Sequence, residues 1–206
     1  MNLNLEKRER IINAALKEFA QKGYKNASTN EIVKEANISK GLLFHYFSNK
    51  KNLFRYLFDY TVEIFLKEFY DKLNYNETDI IKRWRQIALL KIELIQRHPE
   101  LYDFMIASAT DDTVNVEIKQ EIENKSKAIF DDFSVRLVEN IDTSGFKEGL
   151  DIKRVMKIII WVAQGFGNRE LENLKHSPVY KKKYDLNVIM GEFDEYIELL
   201  KGAFYK

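Results

Sequence analysis

The chain has 206 residues, 45% of them apolar and 32% charged, so it is long enough and apolar enough to bury a hydrophobic core. It contains no cysteine, which excludes disulfides, thiolate nucleophiles and cysteine-ligated metals and is typical of a reducing compartment. The longest aliphatic and aromatic run, IIIWVA at 158–163, is far shorter than the roughly 20 residues of a membrane span, and the N-terminus has no apolar signal core. We therefore expect a cytoplasmic protein.

The net charge of +1 hides an asymmetry between the two ends of the chain. Residues 1–60 hold 11 basic and 6 acidic side chains, a charge of +5, whereas the remainder holds 22 against 26 and carries −4. A basic N-terminal segment on a mildly acidic body favours a polyanionic partner at that end. A solvated face with a chance imbalance explains the charge alone equally well.

Apolar residues recur at helical spacing from the start of the chain, and strand-like alternation is nearly absent. A first helix is predicted around residues 11–20, with Gly23 as its C-terminal cap. The sequence STNE at 28–31 is typical of a capping box, in which Ser28 is the N-cap and Glu31 reaches back to it. A second helix is therefore predicted to begin there.

The second helix is predicted to end near Asn37, which tolerates a left-handed turn. Ser39 is predicted to start a third, short helix, and Asn49 to cap a long, aromatic fourth one. The rest of the chain also has helical periodicity, so the sequence predicts an all-α fold of about nine helices. Further helical segments are predicted near 78–97, 99–110, 113–141, 151–174 and 185–205, with TDDT at 110–113 as a polar helix cap and 142–149 as a loop.

Two short helices joined by a tight turn are typical of a helix-turn-helix, whose second helix enters the DNA major groove. That helix is predicted here over residues 39–47. One face is expected to be anchored in protein, and the other to lie nearer the groove, where Gly41 lets backbone and duplex approach closely. The anchoring residues are Leu43, Phe44 and Phe47; those nearer the groove are Lys40, Leu42, His45 and Tyr46; Lys50 and Lys51 follow at the next helix start, where free N–H groups favour a phosphate.

The segments IINAALKEFAQKGYKNAST (11–29) and EIVKEANISKGLLFHYFSNKKNLF (31–54) resemble the DNA-binding domain of the tetracycline-repressor (TetR) family. The rest of the chain resembles this family in length and helical layout. The resemblance implies a DNA-binding domain over residues 1–48 and an effector-binding and dimerisation body over 49–206. It further implies a homodimeric transcriptional regulator, usually a repressor, that binds a palindromic operator and is released by a small hydrophobic molecule.

The family's DNA contacts can be carried over by position. Backbone contacts fall on Ser28, Thr29, Ser39, Lys40, Tyr46 and Lys50, and base contacts on Gly41, Leu42 and His45. Three positions depart from the usual pattern: Leu42 replaces a threonine or serine, Phe44 a tyrosine, and Lys51 an acid. The first two lose hydroxyl groups, although Leu42 is suited to a thymine methyl. Lys51 adds a candidate phosphate contact.

Aromatic and sulfur-containing side chains in the body are candidates for a ligand pocket, since such sites are mostly apolar. For any one of them, a place in the ordinary core is the more common role. The candidates are Trp84, Phe104, Met105, Phe130, Phe133, Trp161 and Phe166. Glu93 and Asp103 lie close to these positions in sequence and would suit a cationic ligand.

The segment 151–174 is apolar on more than one face, which indicates a cover on both sides. With the helix at 185–205 it is the predicted homodimer interface, as the resemblance also implies; the alternative is that both helices close the monomer core. The chain has three histidines without close partner spacing, so no metal site or cofactor is expected. No catalytic arrangement supports a small helical enzyme. The main alternative is an architectural DNA-binding protein without sequence preference.

Overall fold

The computed structural model describes residues 5–176 and 186–206. Within these residues the chain forms nine α-helices, which confirms the predicted all-α fold. No helix in these residues is long and apolar enough to cross a membrane. The helices are α1 (Leu5–Asn26), α2 (Thr29–Glu35), α3 (Lys40–Phe47), α4 (Lys50–Lys72), α5 (Ile80–Arg97), α6 (Pro99–Thr110), α7 (Val116–Val138), α8 (Ile152–His176) and α9 (Leu186–Phe204).

Most of the helix boundaries follow the predicted local signals. Gly23 interrupts α1 with a φ of 70°, and Asn37 takes a φ of 52° after α2. The Oδ1 atom of Asn49 accepts a hydrogen bond of 2.8 Å from the backbone N–H of Asn52, as a helix cap should. One detail of the capping box is wrong: the N–H of Ser28 donates to Glu18 at 2.9 Å, not to Glu31.

The helices group into two compact units. The first contains the chain up to Glu68 together with Arg97–Asp131, and the second contains Phe69–Gln96 and the chain from Asp132 onward. In the first unit α1 packs on α2 and α6, and α2 packs on α3. The boundaries of these compact units differ from the predicted boundary between the two functional domains, which lies after residue 48.

The core of the first unit is built around aromatic side chains. Phe19 of α1, Phe54 of α4 and Phe104 of α6 are buried and meet edge to face, with ring centroids 5.0 Å apart for Phe19–Phe54 and 5.2 Å for Phe54–Phe104. Each such side chain contributes about 1.5–3 kcal/mol through burial. Leu43 and Phe47 of α3 belong to the same core cluster, so the short helix is held by its apolar side.

The second unit has its own core, in which Phe166 of α8 packs on Phe193 of α9 with ring centroids 4.9 Å apart. Its most unusual residue is Arg83, which is 1% exposed although it carries a charge. The guanidinium donates hydrogen bonds to four backbone carbonyls, those of Tyr75, Glu77, Leu137 and Glu139. It therefore joins the segment before α5 to the end of α7. Burial lowers the pKa of Arg83, with the charges of Glu77 and Glu139 acting in the opposite direction.

Candidate nucleic-acid interface

The start of α3 is fixed by its N-cap. The Oγ atom of Ser39 accepts a hydrogen bond of 3.2 Å from the N–H of Leu42, so the helix begins at Lys40. Leu43 and Phe47 face the core, as predicted, whereas Phe44, the third predicted anchor, is only half-buried. One side of the helix is therefore buried, and its N-terminal residues remain available to a ligand.

The other side of α3 presents a small exposed surface. Lys40, Gly41 and His45 are exposed, while Leu42 and Phe44 are half-buried. Tyr46, predicted to lie nearer the groove, is also half-buried and packs against the core cluster. The ammonium of Lys40 lies 5.9 Å from the ring centroid of Phe44, and the His45 ring is 5.2 Å from that of Tyr46. A cation, a hydrogen-bonding imidazole and a leucine beside a glycine form a surface that can approach a polyanion and contact base edges.

Gly41 is not required by the protein itself. A Cβ built on this residue would have no neighbouring heavy atom within 4 Å, and its backbone is helical rather than left-handed. Glycine in a helix costs up to about 1 kcal/mol relative to alanine. The absence of a side chain therefore has no packing explanation within the described residues, but it does suit close contact with a ligand.

The N-terminus of α2 lies on the other element of the motif. The Oγ atom of Ser28 accepts from the N–H of Glu31 at 3.4 Å, which confirms Ser28 as the N-cap. Ser28 and Thr29 are both half-buried, so each keeps part of its surface accessible. Free N–H groups at such a helix start favour an anionic group such as phosphate.

Both the segment that contains this motif and the rest of the chain match models of known protein families. Residues 11–57 match the model of bacterial regulatory proteins of the tetR family, and residues 78–204 match a tetracycline-repressor-like C-terminal domain. The chain belongs to the TetR family. It is thus a DNA-binding transcriptional regulator, which confirms the resemblance read from the sequence.

Individual proteins are similar to this TetR-family chain over most of its length. The fatty acid metabolism regulator protein of Bacillus subtilis is 27% identical over 181 residues, which are 85% of this chain and 86% of the relative. A TetR-family regulator from Chloroflexus aurantiacus superposes with a TM-score of 0.67 at 24% identity, covering 100% of this chain and 96% of its own. FadR from Bacillus subtilis, solved with stearoyl-CoA, has a TM-score of 0.61 at 20% identity over 94% of this chain and 97% of its own.

The two lysines at the start of α4 both bind other residues of this TetR-family chain. The Nζ atom of Lys50 donates to the carbonyls of Lys25 and Ala27, at 3.1 and 2.7 Å. Lys51 forms an ion pair with Glu117 of α7. Phosphate contacts by these lysines remain predictions, and either contact would require the side chain to leave its present partner or share it.

An ionic cluster beside the motif was not foreseen from the sequence. Arg55 of α4 pairs with Glu121 and Glu117 of α7, and its Nε atom lies 2.7 Å from Glu121. Hydrogen bonding by Glu121 is the largest influence on Arg55 and raises its pKa. One available signal was that Lys51 and Arg55 lie one turn apart, as do Glu117 and Glu121. Nothing in the sequence, however, indicates which helices meet.

Asp111 is the C-cap residue of α6, and its N–H donates to the carbonyl of Ala107, so the helix cap predicted for TDDT is confirmed. It accepts hydrogen bonds from the N–H of Tyr24 at 2.5 Å and from Thr113, so it holds the end of α1 after the Gly23 kink. The cap of α7 is Asn115, whose Oδ1 atom accepts from Glu117. Burial acts to raise the pKa of Asp111, but the hydrogen bonds from Thr113 and Tyr24 hold it below its usual value.

The predicted pocket residues are distributed over both units. Phe104 is fully buried in the first core, and Met105 is half-buried in the same unit. In the second unit Trp84 and Phe166 are buried, and Phe133 lies 5.5 Å from Phe69 between ring centroids, whereas Trp161 is 65% exposed. The side chain of Phe130 lies outside the described residues. A cavity of about 10 Å³ touches Trp84, Ile159 and Phe193, which is room for about one water molecule.

The two carboxylates considered for a cationic ligand differ in their surroundings. Glu93 is exposed and lies 3.8 Å from Lys72. The Oδ1 atom of Asp103 is buried without a hydrogen-bond partner, and burial, aided by the charge of Glu100, raises its pKa to about 6. Among the described residues, no group of three or more histidine and acidic side chains is placed to hold a metal ion.

Proposed function

We propose that the chain acts as a homodimer that represses transcription by binding an inverted-repeat operator, with one α3 helix in the major groove of each half-site. The half-sites would then lie about 34 Å apart on B-DNA. The observation that supports this reading is the exposed start of α3, where Lys40 and His45 flank a glycine that the fold does not need. Binding to chromosomal DNA also supports action in the cytoplasm.

The roles proposed for the two parts of the chain follow the sequence prediction. Residues 1–48 read DNA, and residues 49–206 bind the effector and the second protomer. Phosphate and sugar are contacted by Ser28, Thr29, Ser39, Lys40 and Tyr46, with Lys51 as a further candidate, and bases by Gly41, Leu42 and His45. The sequence prediction adds Lys50 to the phosphate contacts, although its ammonium is bound to backbone carbonyls of the protein itself. Of the base-reading residues, His45 supplies hydrogen bonds and Leu42 an apolar contact, so the operator should include a thymine methyl near Leu42.

The dimer interface is proposed on α8 and α9. These helices carry exposed apolar side chains, among them Trp161, Leu199 at 71% and Val188 at 69% exposure. Such a patch on a soluble chain is typical of a contact with another protein surface. The predicted helix range begins at Asp185, which lies outside the described residues; α9 begins at Leu186.

Replacement of Trp161 by aspartate should convert the dimer to monomer at micromolar concentration, because a charge would be buried in the interface. Analytical ultracentrifugation measures the outcome, with the exposed Lys153→Asp on the same helix as control. A Trp161 variant that sediments as the wild type would exclude this residue from the interface.

We also propose a long-chain acyl-CoA as the effector class. The proposal is supported by the similarity to the fatty acid metabolism regulator and to FadR solved with stearoyl-CoA. Thermal shift and operator release should respond to stearoyl-CoA and not to coenzyme A alone. A response to a cationic hydrophobe instead would favour a site at Asp103.

The decisive experiment is selection of binding sites from random duplex DNA at about 0.15 M salt. The affinity for the selected site is then compared with that for scrambled duplex. An enriched inverted repeat, bound at least about a thousandfold more tightly than scrambled DNA, supports the proposal. Salt-sensitive binding without enrichment would favour the architectural alternative.

A further inference from the structure

Lys50 folds back against the connection between α1 and α2. Its ammonium donates to the carbonyls of Lys25 and Ala27, and it lies 5.2 Å from the ring centroid of Tyr24. An ammonium has three donors, so these contacts leave at most one N–H for another acceptor. The side chain is only half-buried, but its charged end points into the protein's own backbone.

The connection that Lys50 holds is short and carries the N-cap of α2. Within residues 24–28 the N–H of Tyr24 donates to Asp111, that of Lys25 to Thr113 at 3.2 Å, and that of Ser28 to Glu18. Side chains from α1, α4 and the α6–α7 loop thus fix this segment from several directions. Lys50 differs from the other three side chains because it holds carbonyl groups rather than N–H groups.

We infer that Lys50 is a positioning residue for DNA binding, which sets the α1–α2 connection and thereby Ser28 and Thr29, rather than a ligand of phosphate. The inference rests on the proposed function, since Ser28 and Thr29 are proposed DNA contacts. One N–H is left for a phosphate, but a full turn of the ammonium toward DNA would leave the carbonyls of Lys25 and Ala27 without the side chain that binds them among the described residues. Burial also lowers the pKa of Lys50, against the charge of Glu18.

The salt dependence of operator binding separates the two roles. Each phosphate that loses its cation lowers the slope of log K against log salt by about 0.9, and a dimer carries two copies of each residue. Lys50→Met, which keeps most of the aliphatic stem, should weaken binding about five- to tenfold and leave the slope unchanged. Lys50→Gln retains a donor for the carbonyls without the charge, so it should bind more tightly than Lys50→Met with the same slope. If Lys50→Met does not fold, Lys50→Gln still tests whether the slope changes.

The matched control is Lys40→Met, which removes an exposed lysine at the start of α3. It should lower the slope by about 1.8 without changing the melting temperature. A second test is a double-mutant cycle with Thr29→Ala. If Lys50 acts through this contact, Lys50→Met should cost less than about twofold in the Thr29→Ala background, whereas a general structural defect would cost the same in both backgrounds.

A fall in slope of about 1.8 for either Lys50 variant would overturn the inference, as would unchanged affinity in Lys50→Met or a fully additive cycle. Failure of the proposed function has a different signature. The wild type would then show no salt-dependent operator binding, or Lys40→Met would leave the slope unaltered. The inference would fall with it, but for a reason that the control identifies.

Discussion

Replacement of Gly41 by alanine should change stability and DNA binding in opposite directions. Apart from its chain neighbours and the backbone of its own helix, the added methyl would meet no atom of the described residues within 4 Å, and the helical backbone accommodates alanine without strain. Alanine in a helix is favoured over glycine by about 0.5–1 kcal/mol. For a chain of 206 residues, a gain of 1 kcal/mol raises the melting temperature by about 2–4 °C.

The same methyl should weaken operator binding if Gly41 lies against the duplex. It would displace the start of α3 from the groove and cost one good base contact, worth about 1–3 kcal/mol, which corresponds to about a five- to 150-fold loss of affinity. Differential scanning fluorimetry measures the first effect, and fluorescence anisotropy on the selected operator at fixed salt measures the second. Non-specific binding should fall much less than operator binding.

Gly202→Ala is the control, because Gly202 is also helical and also has open space at its Cβ position. It should raise the melting temperature by a comparable amount. Because Gly202 lies on α9, in the proposed dimer interface, sedimentation first checks that the variant is still dimeric, and the dimer should then bind the operator as the wild type does. A Gly41→Ala protein that is more stable and binds the operator as tightly as the wild type would refute close approach of DNA at this residue.

Three further predictions concern the fold. Arg83→Met should destabilise the second unit by about 3–5 kcal/mol, because four backbone carbonyls lose their donor, those of Tyr75, Glu77, Leu137 and Glu139. Urea unfolding measures the free energy of unfolding, and a loss below about 1 kcal/mol would contradict the prediction. Gly23→Ala should lower the free energy of unfolding by about 1–3 kcal/mol, because the φ of 70° is unfavourable for alanine and the new Cβ would lie 2.8 Å from the Asp111 carboxylate. Gly202→Ala, which adds a methyl in open space, should not show this loss. The raised pKa of Asp103 means that the folded state binds its proton more tightly than the unfolded state, so this contribution to stability is present below pH 3.8 and is lost as the pH rises through about 6. Asp103→Asn should therefore raise the melting temperature at pH 7.5 and change it little at pH 4; an equal shift at both pH values would exclude the titration as its cause.

Local signals in the sequence predicted the helix ends well, because caps and turns depend on residues that are near neighbours. Ser28, Ser39 and Asn49 each cap a helix through a bond to a residue three positions on. Glu31 shows the limit of this reasoning. Its expected partner, the N–H of Ser28, is taken by Glu18, which reaches it from another helix.

Interactions between distant segments were harder to predict from the sequence, although the sequence did indicate that one residue of such an interaction is buried. Arg83 lies on the apolar stripe of α5, between Ile80 and Ile87, and a charge at such a position indicates a buried residue with polar partners. Which carbonyls it binds depends on where α7 ends, and that is set by tertiary packing. The inward turn of Lys50 has the same origin, since the carbonyls of Lys25 and Ala27 become acceptors only because the helix ends there.

The contacts within the first unit extend beyond the predicted DNA-binding segment, residues 1–48. A fragment ending at residue 48 would lack Phe54 and Phe104, so the ring of Phe19 would lose both aromatic partners that it meets edge to face. α4, which follows α3 directly, is tied to α7 by Lys51 and Arg55, and the end of α1 is tied to the α6–α7 loop by Asp111. Any event that shifts α6 or the first half of α7 must therefore break these bonds or move α1 and α4 with it. An effector can use this linkage only to the extent that it binds the two arrangements with different affinity, so the mutation of Glu117 or Asp111 should alter effector response more than operator sequence preference.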